Sequence, residues 1–96
     1  MKIKSEKYYA YMVRCSDNSI YSGYTTNLEK RLETHNMGKG AKYTRTRLPV
    51  KIEYFEEFDN KIDACKREWQ FKQYTHTEKE KIIKEFMENN KKYDKI

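Results

Sequence analysis

The chain has 96 residues, a formal net charge of +6 and an isoelectric point near 9.2. That is one domain's worth of sequence with a surface that attracts polyanions, so nucleic acid is the expected partner. The longest apolar run, Tyr8 to Val13, is too short to cross a bilayer, and two isolated cysteines, Cys15 and Cys65, argue against a structural zinc site.

The charged start, Met1 to Lys7, does not read as a secretory signal, and a reduced cytoplasmic protein is expected. Residues 1–96 read as a single domain, with a core at about 7–90, a frayed start over 1–7 and a polar tail over 91–96. Lys7 to Cys15 is rich in aromatic and branched residues and reads as a strand, with Tyr9, Tyr11, Val13 and Cys15 on one face. A turn follows, and Ile20 to Tyr24 reads as a second strand. A two-residue loop at Asp17-Asn18 would put Tyr11 and Tyr21 on opposite faces. A three-residue loop, Asp17-Asn18-Ser19, pairs Ser16 with Ile20 and puts both tyrosines on one face. The tolerance of asparagine for the left-handed region favours the three-residue loop.

Thr26 and Glu29 have the spacing of a capping box, opening a helix to about Asn36 that buries Leu28 and Leu32 and stops at Gly38. A basic loop runs from Gly38 to Arg47 and is closed by Pro49. Val50, Ile52 and Tyr54 alternate as a third strand towards Phe58. Asp59 or Asn60 caps a second helix with Ile62, Cys65, Trp69 and Phe71 as its apolar side. Thr77 and Glu80 cap a third, in which Ile82, Ile83, Phe86 and Met87 recur at helical spacing. The fold class expected is α+β, a three-stranded antiparallel sheet flanked by helices in the order β-β-α-β-α-α.

Five residues could carry chemistry. Arg31 and His35 lie four apart on one helix face. A guanidinium suits a phosphate and an imidazole moves protons near neutral pH, though either residue could equally finish the apolar stripe. Glu68 falls on or near an inward helix face, and a carboxylate there needs a partner. That partner is a neighbouring cation or a divalent metal. Tyr11 and Tyr21 are packing residues unless nearby cations favour the phenolate. Gly23 would permit close approach of a substrate backbone. In the loop, Lys39, Lys42, Arg45 and Arg47 with Tyr43 among them suit phosphate contacts plus base stacking, unless the loop is merely solvated.

The spacing of Tyr9-Ala10-Tyr11, Tyr21-Ser22-Gly23, Arg31, His35 and Glu68 resembles a GIY-YIG nuclease domain over roughly residues 7 to 75. The stretch from Leu32 to Thr44 is similar to that family's small single-domain bacterial subgroup. The resemblance implies a divalent-metal-dependent endonuclease acting on DNA rather than RNA, in repair or DNA processing, with one Mg²⁺ or Mn²⁺ on Glu68. It implies Tyr11 as general base or its helper, Tyr21 orienting water or phosphate, Arg31 steadying phosphate charge, His35 accepting the phenol proton, and Gly23 as the close-approach glycine. Tyr9 stands where the first motif has glycine, and Ser22 where the second has isoleucine. The late asparagine of many members has no equivalent, since Asn60 is too early and Asn89 too late. Lys72, one turn after Glu68, could contact phosphate instead. The alternative is a nucleic-acid-binding module with an idle site on the same basic face. No protein partner is inferred.

Overall fold

The computed structural model describes residues 6–94, with side chains to residue 90. Strands β1 (Tyr8–Arg14), β2 (Ile20–Thr25) and β3 (Lys51–Phe58) form one antiparallel sheet in the order β2-β1-β3. Helix α1 (Leu28–Asn36) and a short helix α2 (Lys42–Arg45) follow β2, and α3 (Lys61–Gln73) and α4 (His76–Asp94) follow β3. The fold class is as expected. Helix α2 was not, because it lies inside the stretch that reads as loop. Helix α4 also continues through residues 91–94, which read as tail; the remainder of that tail, and residues 1–5 of the frayed start, lie outside the described residues.

The β1–β2 turn has three residues, shifted by one from the expected set. Cys15 N–H donates to the Ser19 carbonyl (2.9 Å), so the loop is Ser16-Asp17-Asn18, and Asn18 takes the left-handed conformation at φ 72°. Two-residue shifts in register preserve parity. Tyr11 pairs with Gly23 and Val13 with Tyr21, so both tyrosines face the same side.

That side packs on α1. Tyr11, Val13, Cys15 and Val50 are buried there, with Leu28, Leu32, Leu48 and Ile52 against them. The other side packs on α3 and α4 through Ala10, Met12, Ile20, Phe71 and Ile83. Two apolar faces on one sheet need β3 to serve both, and a bulge makes this possible. Met12 pairs with Tyr54 but Val13 pairs with Ile52, leaving Glu53 as the extra residue. The expected alternation of Ile52 and Tyr54 on one face is therefore broken. Ile52 joins the α1 side and Tyr54 the α3–α4 side. Glu53 is turned to Arg14 at 3.0 Å, and Arg14 reaches Glu80 of α4 at 2.6 Å.

Helix starts differ from the expected caps. Asn27, not Thr26, caps α1: its side chain accepts from Lys30 N–H at 3.0 Å, while the Thr25 hydroxyl accepts from Asn27 N–H. Thr75 and Glu78, not Thr77 and Glu80, form the reciprocal box of α4. Glu80 is committed to Arg14 instead. Asn60 caps α3 as expected. Gly38 ends α1 at φ 76°, with Gly38 N–H on the His35 carbonyl and Lys39 N–H on that of Thr34, a paired closure of the last turn.

Of the apolar side assigned to α3, Phe71 is buried and Cys65 half-buried, but Ile62 and Trp69 are not. Ile62 and Trp69 are 68% and 64% exposed, and the buried residues of the helix are Ala64 and Phe71. An alanine lets the helix axis approach the sheet closely, whereas a stripe led by Trp69 would hold it off.

The caps give a direct check. Asn27→Ala is expected to cost about 0.5–2 kcal/mol in urea unfolding, and Thr26→Ala less than about 0.5 kcal/mol, as at an ordinary surface position.

Candidate active site

Tyr11 on β1 and His35 on α1 meet at the centre of the α1 side. Tyr11 is 1% exposed and His35 is fully buried. The phenol oxygen lies 2.9 Å from His35 Nε2, and His35 Nδ1 lies 2.9 Å from the Thr44 hydroxyl. Thr44 donates its own proton to the Ala41 carbonyl at 2.9 Å. It therefore accepts from His35, which places the ring proton on Nδ1 and leaves Nε2 to accept from Tyr11. A single directed chain results, from phenol to imidazole to hydroxyl to backbone. Arg31 Nε donates to the same phenol oxygen at 3.3 Å.

Two glycines make room for this chain. A Cβ on Gly23 would collide with the Tyr11 phenol oxygen, and one on Gly40 with His35 Nδ1. The space over Gly23 is thus filled by Tyr11 itself, rather than left open for the substrate backbone as its sequence suggested. Gly40 and Thr44 were not singled out as site residues. Nothing in a local pattern marks them, because their role depends on α2 folding back under α1.

Burial and the Arg31 charge together lower the His35 pKa to about 4, so the imidazole is neutral at physiological pH. Burial raises the Tyr11 pKa, against the opposing pull of Arg31, and Tyr21 and Glu68 add to the rise. The Glu68 charge therefore acts on Tyr11, even though α3 packs against the opposite side of the sheet.

Tyr21 continues the site outward. Its ring meets His35 edge-on at 5.8 Å and stacks on Tyr43 at 5.9 Å. The Arg47 guanidinium lies 4.0 Å from the Tyr43 ring centroid, and Lys72 Nζ lies 5.9 Å from that of Tyr21. Lys72 also pairs with Glu68 at 3.3 Å. Tyr11, Tyr21, Arg31, His35, Glu68 and Lys72 are thus linked through contacts or through their charges. Arg47 is occupied by Asp17 at 3.0 Å and by the Tyr43 carbonyl, and the Tyr43 ring by Arg47 and Tyr21. This aromatic-cation cluster fixes α2 more than it offers a free stacking face. Lys39, Lys42 and Arg45 are exposed and form no salt bridge among the described residues.

Glu68 has 23% of its side chain exposed and belongs to no group of three or more His, Cys, Asp or Glu side chains that could hold a metal among the described residues. A closed zinc or calcium cage does not fit this donor set. A magnesium-type ion does, because it keeps several waters and takes one or two carboxylates plus substrate phosphate. Asn60 caps α3 and Asn89 lines a cavity with Tyr54, Arg67 and Phe86, so neither joins Tyr11.

Residues 7–82 match the family model of the GIY-YIG catalytic domain. A UPF0213 protein of Staphylococcus haemolyticus is 53% identical over 79 residues, spanning 82% of this chain and 96% of that one. One from Bacillus licheniformis is 51% identical over 83 residues, 86% of each chain. The solution NMR structure of a protein from E. faecalis is 43% identical, with TM-score 0.57, covering 91% of this chain and 92% of that one. Among the described residues, no helix is long and apolar enough to cross a membrane.

The depressed His35 pKa has a measurable sign. Between its ordinary value of 6.5 and about 4, the unfolded chain binds the extra proton and the folded one does not, so stability falls as pH drops through that window. Urea midpoints are expected to decline from pH 6.5 to pH 4 in the wild type and less steeply in His35→Asn. Equal slopes would contradict a neutral, buried imidazole.

Proposed function

The chain belongs to the GIY-YIG catalytic-domain family, and we propose that it is a divalent-metal-dependent endonuclease that hydrolyses phosphodiester bonds in DNA. The observation that carries this reading is the directed chain from Tyr11 through His35 to Thr44, with Arg31 on the phenol oxygen.

A phenol whose pKa burial has raised stays protonated and is by itself a poor base. Here the Tyr11 proton is held in a hydrogen bond to His35 Nε2, which leaves a phenol lone pair for an attacking water. As that water attacks phosphorus, its proton passes to Tyr11 and the Tyr11 proton passes to His35. Imidazolium forms only in transit, since its resting pKa is low. The new O–P bond forms as the bond to the 3′ oxygen breaks. Arg31 spends only Nε on Tyr11, and its two terminal nitrogens have no hydrogen-bond partner among the described residues. They suit two bonds to a phosphate oxygen. Tyr21 orients the water or phosphate, and Lys72 supplies a further cation. A Mg²⁺ or Mn²⁺ ion held by Glu68 would supply charge stabilisation at the departing 3′ oxygen. Lys39, Lys42 and Arg45 give the strand its path over α2, with Arg47 reaching it only by giving up Asp17, and DNA repair or processing is the pathway class that such an activity serves.

One observation favours a second reading. The Glu68–Lys72 ion pair at 3.3 Å leaves the carboxylate satisfied without metal, as in a basic binding module with an idle site. Mg²⁺ titration followed by NMR separates the two, because only the nuclease shifts resonances around Glu68.

Cleavage of single-stranded and branched DNA with Mg²⁺ or Mn²⁺ is the direct test. Tyr11→Phe is expected to slow it by about 10²–10⁴-fold, the usual range for a lost general base, with the fold intact by circular dichroism. Glu68→Gln is expected to abolish the metal-dependent cleavage. Equal rates for Glu68→Gln and wild type would remove Glu68 from the mechanism.

A further inference from the structure

Trp69 is the sole tryptophan of the chain, and it is 64% exposed on a helix whose packing side is Ala64 and Phe71. A large aromatic in that position contributes little to the core. Its neighbours are informative. Glu68 precedes it, Lys72 lies one turn onward and Lys66 one turn back. Lys72 bridges the Glu68 carboxylate and the Tyr21 ring, so Trp69 sits on α3 directly after the carboxylate proposed to hold the metal and one turn before the lysine that reaches Tyr21. Ile62, 68% exposed and two turns back, extends the same apolar stripe.

At helical spacing Lys66 and Lys72 lie on either side of Trp69 along the α3 surface, a pattern that matches the chemistry of a nucleotide: a planar base for the ring and phosphates for the lysines. Tyr43, the other exposed aromatic near the site, is engaged by Tyr21 and Arg47, whereas Trp69 has no aromatic or cation partner among the described residues. We infer that Trp69 is a base-stacking platform, taking an unpaired nucleobase beside the phosphate held at Lys72 and Glu68. The inference rests on the nucleic-acid reading above and assigns it a subsite on α3, distinct from the basic loop. In a continuous duplex the base faces are already stacked, so the platform selects strands with an unpaired nucleotide at this position.

As the only indole, Trp69 is its own reporter. With metal chelated, a short DNA strand is expected to quench its fluorescence to saturation, and the same strand annealed to its complement to quench it far less. By fluorescence anisotropy of labelled DNA, Trp69→Ala is expected to weaken strand binding at least about fivefold, the lower end of stacking on an aromatic. Trp69→Phe is expected to recover part of the loss, and duplex affinity to stay unchanged. The exposure of the side chain keeps both variants folded. Equal quenching by strand and duplex, or unchanged strand affinity in Trp69→Ala, overturns the inference. So does concentration-dependent self-association in sedimentation that Trp69→Ala abolishes, which assigns the stripe to a second copy of the chain. Quenching without cleavage leaves the platform standing and removes the nuclease; cleavage without quenching does the reverse.

Discussion

The hydrogen bond between the Tyr11 phenol and His35 is the contact around which this side of the molecule is arranged. It joins the central strand to α1, and through Thr44 it joins α1 to α2. His35 and Thr44 are fully buried and Tyr11 is 1% exposed, so each unmade bond among them would leave a polar atom with little or no water, at a cost of about 1–3 kcal/mol. The surroundings follow from that constraint. Gly23 has no side chain because the phenol lies over it, and Gly40 has none because the imidazole does. Gly38 reverses the chain at the end of α1 so that α2 can bring Thr44 beneath His35. Asn36 adds a clamp, its side chain exchanging two hydrogen bonds with the Val50 backbone at 3.0 and 2.8 Å. The connection into β3 is thereby tied to the same helix.

Much of this was legible in the residues. Period-two patterning located the three strands, and turn chemistry at Asn18 gave the parity that puts Tyr11 and Tyr21 together. The resemblance to the GIY-YIG pattern then gathered Arg31, His35 and Glu68. What was not legible shares a physical cause. The Met12–Val13 bulge is a register event between two strands, and no property of Ile52 or Tyr54 alone announces it. Thr75 outcompetes Thr77 as a cap because Glu80 is drawn to Arg14, a contact 66 positions away in sequence. On α3, hydrophobicity nominated Trp69 for the core. The geometry preferred Ala64, whose small size sets the distance between helix and sheet. Thr44 and Gly40 became visible only once α2 was seen to fold under α1.

The two sides of the sheet divide the labour. The α3–α4 side is held by aromatic contacts, with Tyr54 edge-on to Phe71 and Phe86 at 5.8 and 4.9 Å, and by a charged seam. There Arg14 gathers Glu53 and Glu80, and Arg67 pairs with Glu56 at 3.0 Å. Burial and the Glu56 hydrogen bond push the Tyr54 pKa up to about 12, which keeps that phenol a donor. The two part-buried arginines of this side, Arg14 and Arg67, are thus matched by carboxylates. On the α1 side the carboxylates are few, and Arg31, Lys39, Lys42 and Arg45 face no salt-bridge partner among the described residues. Residues 27–47 carry six lysines and arginines against two glutamates, so the segment that packs on the phenol side of the sheet is strongly basic.

The pairing of Glu68 with Lys72 couples two ligands by simple linkage. Under the proposed reading, a cation arriving alone must compete with the Lys72 ammonium for the carboxylate. A strand arriving alone must compete with Glu68 for the ammonium. When both arrive, each releases the partner that the other needs, so they bind with positive cooperativity and the effect is reciprocal. A metal affinity that is the same with and without a bound strand would contradict this. Under that reading the ion is held loosely until a strand is in place.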